Sequence, residues 1–231
     1  QVPLDDPATM SLFSSTDALG VTADELGSPV ATYGVPEFNT KFTRQMLEDI
    51  KPQSFAELLR ISGFSHGTDV WLNNAQDLIR SGTASATETI STRDDIMLFL
   101  IEKGMDFSLS FKIMESVRKG RGLSDDHHAA MVESNIPEWF IASCEKIKYL
   151  FPKAHAVAYV MMAYRIAWFK INQPLAFYAA YFTVRGADEF DLATVLAGKT
   201  AVQKKIQNIY TGGRDASAKD KAAISVLEVA L

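Results

Sequence analysis

Apolar residues along this chain recur every three or four positions far more often than every second one. Ile96, Phe99 and Leu100 fall on one helical face, as do Leu109, Ile113, Met114 and Val117, which is the 3.6-residue period and not strand alternation. Start and stop residues punctuate the pattern. Asp6 before Pro7 offers an N-cap followed by proline at the first helical position. NTKFTRQMLEDIKP starts at the cap candidate Asn39 and halts near Pro52. SFAELLRISGF, WLNNAQDLIRSG, TRDDIMLFLIEKG and DFSLSFKIMESVRKG follow, most opening on Ser, Thr or Asp and closing on Gly. PEWFIASCEKIKYLF, the long apolar stretch 151–170, PLAFYAAYFTVRG, KTAVQKKIQNIYTGG and ASAKDKAAISVLEVAL complete the series. The stretch from Gly20 to Asn39, with three glycines and two prolines up to Pro36, is the one long irregular segment, with room for a short strand at Val30 to Tyr33. The pattern predicts an all-α, multi-helix domain behind a loop-rich N-terminal arm, without internal repeats.

Composition narrows the function classes. The 231 residues are 47% hydrophobic and 22% charged, ordinary for a globular protein with a sizeable core. Net charge is −5, whereas a self-sufficient nucleic-acid binder usually carries a basic balance. The charge is uneven: residues 1–40 hold six acids and no Lys or Arg, while residues 111–170 hold nine Lys/Arg against six Asp/Glu. The single Cys144 permits neither an internal disulfide nor a Cys-rich zinc site, which fits a reducing cytoplasm. QVPLDDPATM has neither the basic nor the apolar part of a signal peptide. No run approaches the roughly 18 apolar residues of a membrane span, so a cytoplasmic protein without a membrane partner is expected.

Catalytic signatures are missing: no P-loop, no GxGxxG after a strand, no HExxH, no GxSxG. The acidic pairs Asp5/Asp6, Asp94/Asp95 and Asp125/Asp126 stand near helix starts, where carboxylates complement the helix dipole. SDDHH at 124–128 has ligand-type side chains, but no further His or Cys nearby in sequence completes a metal site. Basic groups say more. SVRKGRG sets Arg118, Lys119 and Arg121 at a helix end beside Gly120 and Gly122. Capping needs fewer cations, and glycine allows close approach of a phosphate. His66 sits in SGFSHGTDVW, a small-residue break between two helices. In FPKAHAVAY, His155 and Tyr159 are four apart on one helix face, with Lys153 at the N-terminus. A helix start attracts anions, Ala154, Ala156 and Ala158 keep those turns slim, and a tyrosine ring can stack on a base. This is either a nucleotide seat or a core helix whose Tyr and His are satisfied internally.

FPKAHAVAY is similar to the lysine–histidine–tyrosine motif in the fingers of family C bacterial replicative DNA polymerases. ISGFSHGTDVWLNNAQDLI, TRDDIMLFLIEKG and FKIMESVRKGRGL resemble the PolC-type DNA polymerase III α subunits of low-GC Gram-positive bacteria. YGVPEFNTKFTRQMLEDIKPQSFAELLRISG and PLAFYAAYFTVRG extend the resemblance, and the last few dozen residues match least clearly. SDDHH, and Asn73 where Gly is expected, are local departures.

The resemblance implies an excised fingers domain that positions an incoming deoxynucleoside triphosphate and the nascent base pair during template-directed synthesis. It implies triphosphate or template-backbone contacts for Lys153, His155, Arg118, Lys119 and Arg121, and stacking for Tyr159. Ser62, Ser65 and His66 would line the pocket, and Arg165, well around the helix from Tyr159, would be structural. The two Mg2+ ions of the family's reaction would be held by palm aspartates outside this chain, which alone would be inactive. Partners would be primer–template DNA, the palm and DNA-binding domains of the same polypeptide and, through other domains, the sliding clamp and replisome. Residues 1–38 would form an acidic arm joining the palm, 39–197 the helical core, and 198–231 helices leading toward the downstream DNA-binding domain. A ligand-free helical scaffold, or a stand-alone nucleotide-binding enzyme, remains open from the residues themselves.

Overall fold

A computed structural model describes residues 2–186, 189–212 and 217–231. It is all-α. The helices are α1 (Pro7–Ser11), α2 (Ala23–Leu26), α3 (Lys41–Ile50), α4 (Phe55–His66), α5 (Gln76–Arg80), α6 (Arg93–Glu102) and α7 (Phe107–Arg118). After them come α8 (Asp125–Glu133), α9 (Glu138–Lys146), α10 (Lys153–Asn172), α11 (Pro174–Val184), α12 (Leu192–Leu196), α13 (Lys199–Gly212) and α14 (Ala218–Val229). Gly213 and Ala216, the expected stop and start of the last two, lie outside the described residues. No helix among the described residues is long and apolar enough to cross a membrane. The chain forms two compact units, Gln1–Gln53 with Met161–Leu231, and Ser54–Val160, so the division falls within α10.

In the unit 54–160, the expected faces turn inward: Ile96, Leu100, Ile113, Met114 and Val117 are all buried. Phe99 stacks on Phe140 with centroids 4.1 Å apart. α4 starts with a capping box, the Ser54 side chain accepting from Glu57 N while Glu57 accepts from Ser54 N, which satisfies orphan donors at both ends of the turn. WLNNAQDLIRSG does not make one helix. Asn73 has φ +57°, in the left-handed region, and the first turn is broken there before α5 begins. Where glycine was expected stands asparagine, a side chain that also tolerates this conformation.

In the unit formed by 1–53 and 161–231, Phe13 meets Phe38 edge-on at 5.1 Å and stacks on Tyr164 at 6.0 Å. The Tyr164 hydroxyl donates to the Asp6 carbonyl at 2.9 Å. Arg44 and Glu228 form a buried ion pair at 2.9 Å, with the Tyr210 hydroxyl donating to the same carboxylate. The cap of α3 is Thr40, accepting from Thr43 N, and not Asn39. Val30 to Tyr33 forms no strand. This segment is buried, and a lysine does the work of a neighbouring strand: Lys170 Nζ donates to the carbonyls of Ala31 at 2.9 Å and Tyr33 at 2.7 Å, while Ala31 N donates to Leu12 O at 2.9 Å.

Candidate nucleotide interface

The expected site residues all lie in the unit 54–160, and one short non-helical segment, residues 147–151, draws their elements together. Thr68 N, just past α4, donates to Tyr149 O at 3.0 Å, and Lys148 N donates back to Thr68 O at 3.0 Å. Leu150 N donates to Arg118 O at the end of α7, at 3.4 Å, and Arg93 N at the start of α6 donates to Phe151 O, at 3.2 Å. Gly120 follows α7 with φ +69°, and a Cβ there would stand 2.5 Å from Lys148 O, so only glycine allows this approach. The segment then enters α10 through Phe151 and Pro152.

Phe151 is the hub that sequence reasoning missed. His66 stacks on its ring at 4.8 Å, His155 meets it edge-on at 5.9 Å, and Tyr159 lies tilted at 6.5 Å. Positions 151, 155 and 159 are four apart in sequence, but only His155 and Tyr159 lie on α10, and Phe151 meets them from the segment that enters the helix. Tyr159 is 44% exposed, so its ring is not a core element, and His66 and His155 are also exposed. Ser62 is buried, with its Oγ lacking a partner among the described residues. Ser65, half-buried, donates to Ser62 O at 3.0 Å. Arg165 is exposed.

Carboxylates already engage most of the cations. Arg118 is paired through two nitrogens with Glu115, and Lys119 Nζ lies 2.9 Å from the same carboxylate. These hydrogen bonds from Arg118 and Lys119 hold the Glu115 carboxyl down at about 2. Lys153 N donates to Asp94 Oδ2 at 2.8 Å, and its Nζ stands 4.0 Å from Asp95 Oδ1. The adjacent aspartates thus divide their work. Asp95 caps its own helix through the N–H groups of Ser91 and Thr92, while Asp94 caps α10 from 59 residues away. Arg121 is exposed. Burial pushes the Cys144 thiol well above its usual range, which leaves it unreactive. Among the described residues no three His, Cys, Asp or Glu side chains gather to hold a metal ion. The arrangement can neutralise an anion and cover a flat ring.

The sequence profile described as bacterial DNA polymerase III alpha subunit finger domain matches residues 1–137. The chain belongs to that family. It is 60% identical over 231 residues to the DNA polymerase III PolC-type of Caldanaerobacter subterraneus subsp. tengcongensis, covering 100% of this chain and 16% of that protein. The corresponding Thermotoga maritima protein is 58% identical over 100% of this chain and 17% of its own length. That of Bacillus subtilis is 54% identical over 100% of this chain and 16% of its own. The chain therefore spans about a sixth of the curated relatives it matches. His66 and the SVRKGRG cations lie within the part of these fingers that the profile matches. Lys153, His155 and Tyr159 lie beyond it, within the span shared with the relatives.

Proposed function

We propose that this chain acts as the fingers of a PolC-type replicative DNA polymerase, seating an incoming deoxynucleoside triphosphate against the nascent base pair on primer–template DNA. Lys153, His155, Arg118, Lys119 and Arg121 are its phosphate and backbone contacts, Tyr159 its stacking ring, and Ser62, Ser65 and His66 the pocket edge. One observation carries the reading: residues 147–151 tie the ends of α4 and α7 to the start of α10, with His66, His155 and Tyr159 gathered on Phe151. Such a surface contributes positioning and charge neutralisation. The Mg2+ ions of such a reaction would be held by palm carboxylates outside this chain.

The test is Tyr159→Ala in the full polymerase. Stacking worth about 1–3 kcal/mol per base predicts a fall of roughly 10- to 100-fold in kcat/KM for incorporation. With the ring 44% exposed, unfolding stability should fall by about 1 kcal/mol or less. Unchanged incorporation by a folded variant overturns the stacking role, and a large loss of stability would make Tyr159 a core residue instead.

A further inference from the structure

α11 is apolar beyond what its own unit uses. Residues 174–184, PLAFYAAYFTV, contain no charged side chain, yet only Phe177 among them is buried, while Leu175 is 87% and Val184 75% exposed. A helix that is apolar all round is ordinarily buried in the finished protein. Beside it runs a groove of about 820 Å3, lined among others by Pro36, Ile166, Phe169, Ala176, Ala180 and Val184. Phe169 is itself 42% exposed. Ala176 and Ala180 leave room for a close backbone approach, as at interaxial distances of 8–10 Å. On the helix, Tyr178 stacks on Phe182 at 6.4 Å and Phe177 on Tyr181 at 6.2 Å.

We propose that α11 and this groove are the docking surface for an apolar helix or strand face belonging to another domain of the same polypeptide. Chemistry and chain length select that occupant. A nucleic acid would need several cations for its phosphates, and α11 with its groove offers one, Arg185 at the groove's end. The relatives match the whole chain while it makes up only 16–17% of their length, so five-sixths of such a polypeptide lies outside this region. A tethered domain reaches an effective concentration on the order of millimolar, which a second copy of the protein would have to outcompete. The inference rests on family membership and α11 itself, independently of the nucleotide reading.

Hydroxyl-radical footprinting of the full polymerase, read by mass spectrometry, tests it. Leu175 and Val184, normalised to intrinsic reactivity, should be at least five-fold protected and react like the buried Leu47. That protection should be present without DNA and constant over a hundred-fold range of protein concentration. Val184→Glu should restore reactivity at Leu175 and leave the KM for nucleotide unchanged. Full reactivity of both side chains in the wild-type polymerase overturns the proposal. Protection that requires primer–template assigns the face to nucleic acid, and protection lost on dilution assigns it to a second copy; either result also overturns it. The wild-type footprint decides even where the variant fails to fold.

Discussion

Replacing Lys170 with methionine separates two opposing terms that the structure places on one side chain. Lys170 is 3% exposed, and its Nζ holds the otherwise unladdered carbonyls of Ala31 and Tyr33. Losing a donor to a buried acceptor costs about 1–3 kcal/mol, so two lost bonds cost roughly 2–6 kcal/mol. Against this, burial pushes the ammonium down to about 7 from an ordinary 10.5, equivalent to roughly 5 kcal/mol at about 1.4 kcal/mol per pH unit. Between pH 7 and 10.5 the unfolded chain binds a proton here that the folded chain does not, so this group's contribution to stability rises with pH. Below pH 7 both states are protonated and the full burden of the buried charge is present. Lys170→Met removes the burden together with the bonds. It should be close to neutral at pH 6 and distinctly destabilising at pH 9, with wild type gaining about 2–3 kcal/mol over the variant from pH 7 to 9. Urea unfolding of both proteins across pH 6–9 measures the gap, and the histidines cancel in the comparison. Parallel stability curves would refute this, showing that the two carbonyls keep Lys170 charged throughout.

Asp94→Ala removes the carboxylate that caps α10 and should cost about 0.5–2 kcal/mol, read as a lowered urea midpoint; an unchanged midpoint would mean that solvent caps this helix as well. Glu115→Gln releases Arg118 and Lys119 from their shared carboxylate and should tighten binding of primer–template DNA to the full polymerase a few-fold at low salt. The gain should fade as ionic strength rises, and no gain at low salt would remove these two cations from the phosphate contacts.

The helices were legible because most faces bury their own apolar period and most starts carry a local cap, as Ser54 with Glu57 and Asp6 with Thr9 show. What stayed hidden depends on distant partners. Val30 to Tyr33 has the composition of a strand, but the carbonyls of Ala31 and Tyr33 are satisfied by Lys170, 137 residues away from Tyr33, and those of Val30 and Thr32 by Ser28 and Val35 close by. Asp94 looks like any acid in a first helical turn, and only folding sets it under α10. The broken turn at Asn73 follows from backbone conformation, and Lys146 Nζ fixes it from elsewhere by donating to Asn73 O at 2.8 Å. At the candidate site the motifs were separable in sequence, but the segment joining them was not. KIKYLF reads as the tail of a helix, whereas α9 ends at Lys146 and the next five residues leave the helix, bending at Lys148 and bridging at Tyr149 and Phe151. Bonds to Thr68, Arg118 and Arg93 spend the backbone groups that another turn of helix would have used.

The same distant contacts bear on how an anion would be selected. The N-terminus of α10 is not a bare positive pole, since Asp94 occupies one of its donors and Asp95 lies near the Lys153 ammonium. Arg118 and Lys119 are balanced by Glu115. An anion bound there would therefore exchange places with resident carboxylates instead of filling an open site. A single phosphate gains little from that exchange, because exposed pairs are each worth about 0–1 kcal/mol. A triphosphate engages several cations through one molecule, so the modest gains add while its loss of freedom is suffered once. At the proposed site, cations compensated in this way would favour a polyanion over the smaller anions of the cell. On the proposed reading they would also let a chain of net charge −5 present phosphate contacts without the basic balance of a self-sufficient nucleic-acid binder.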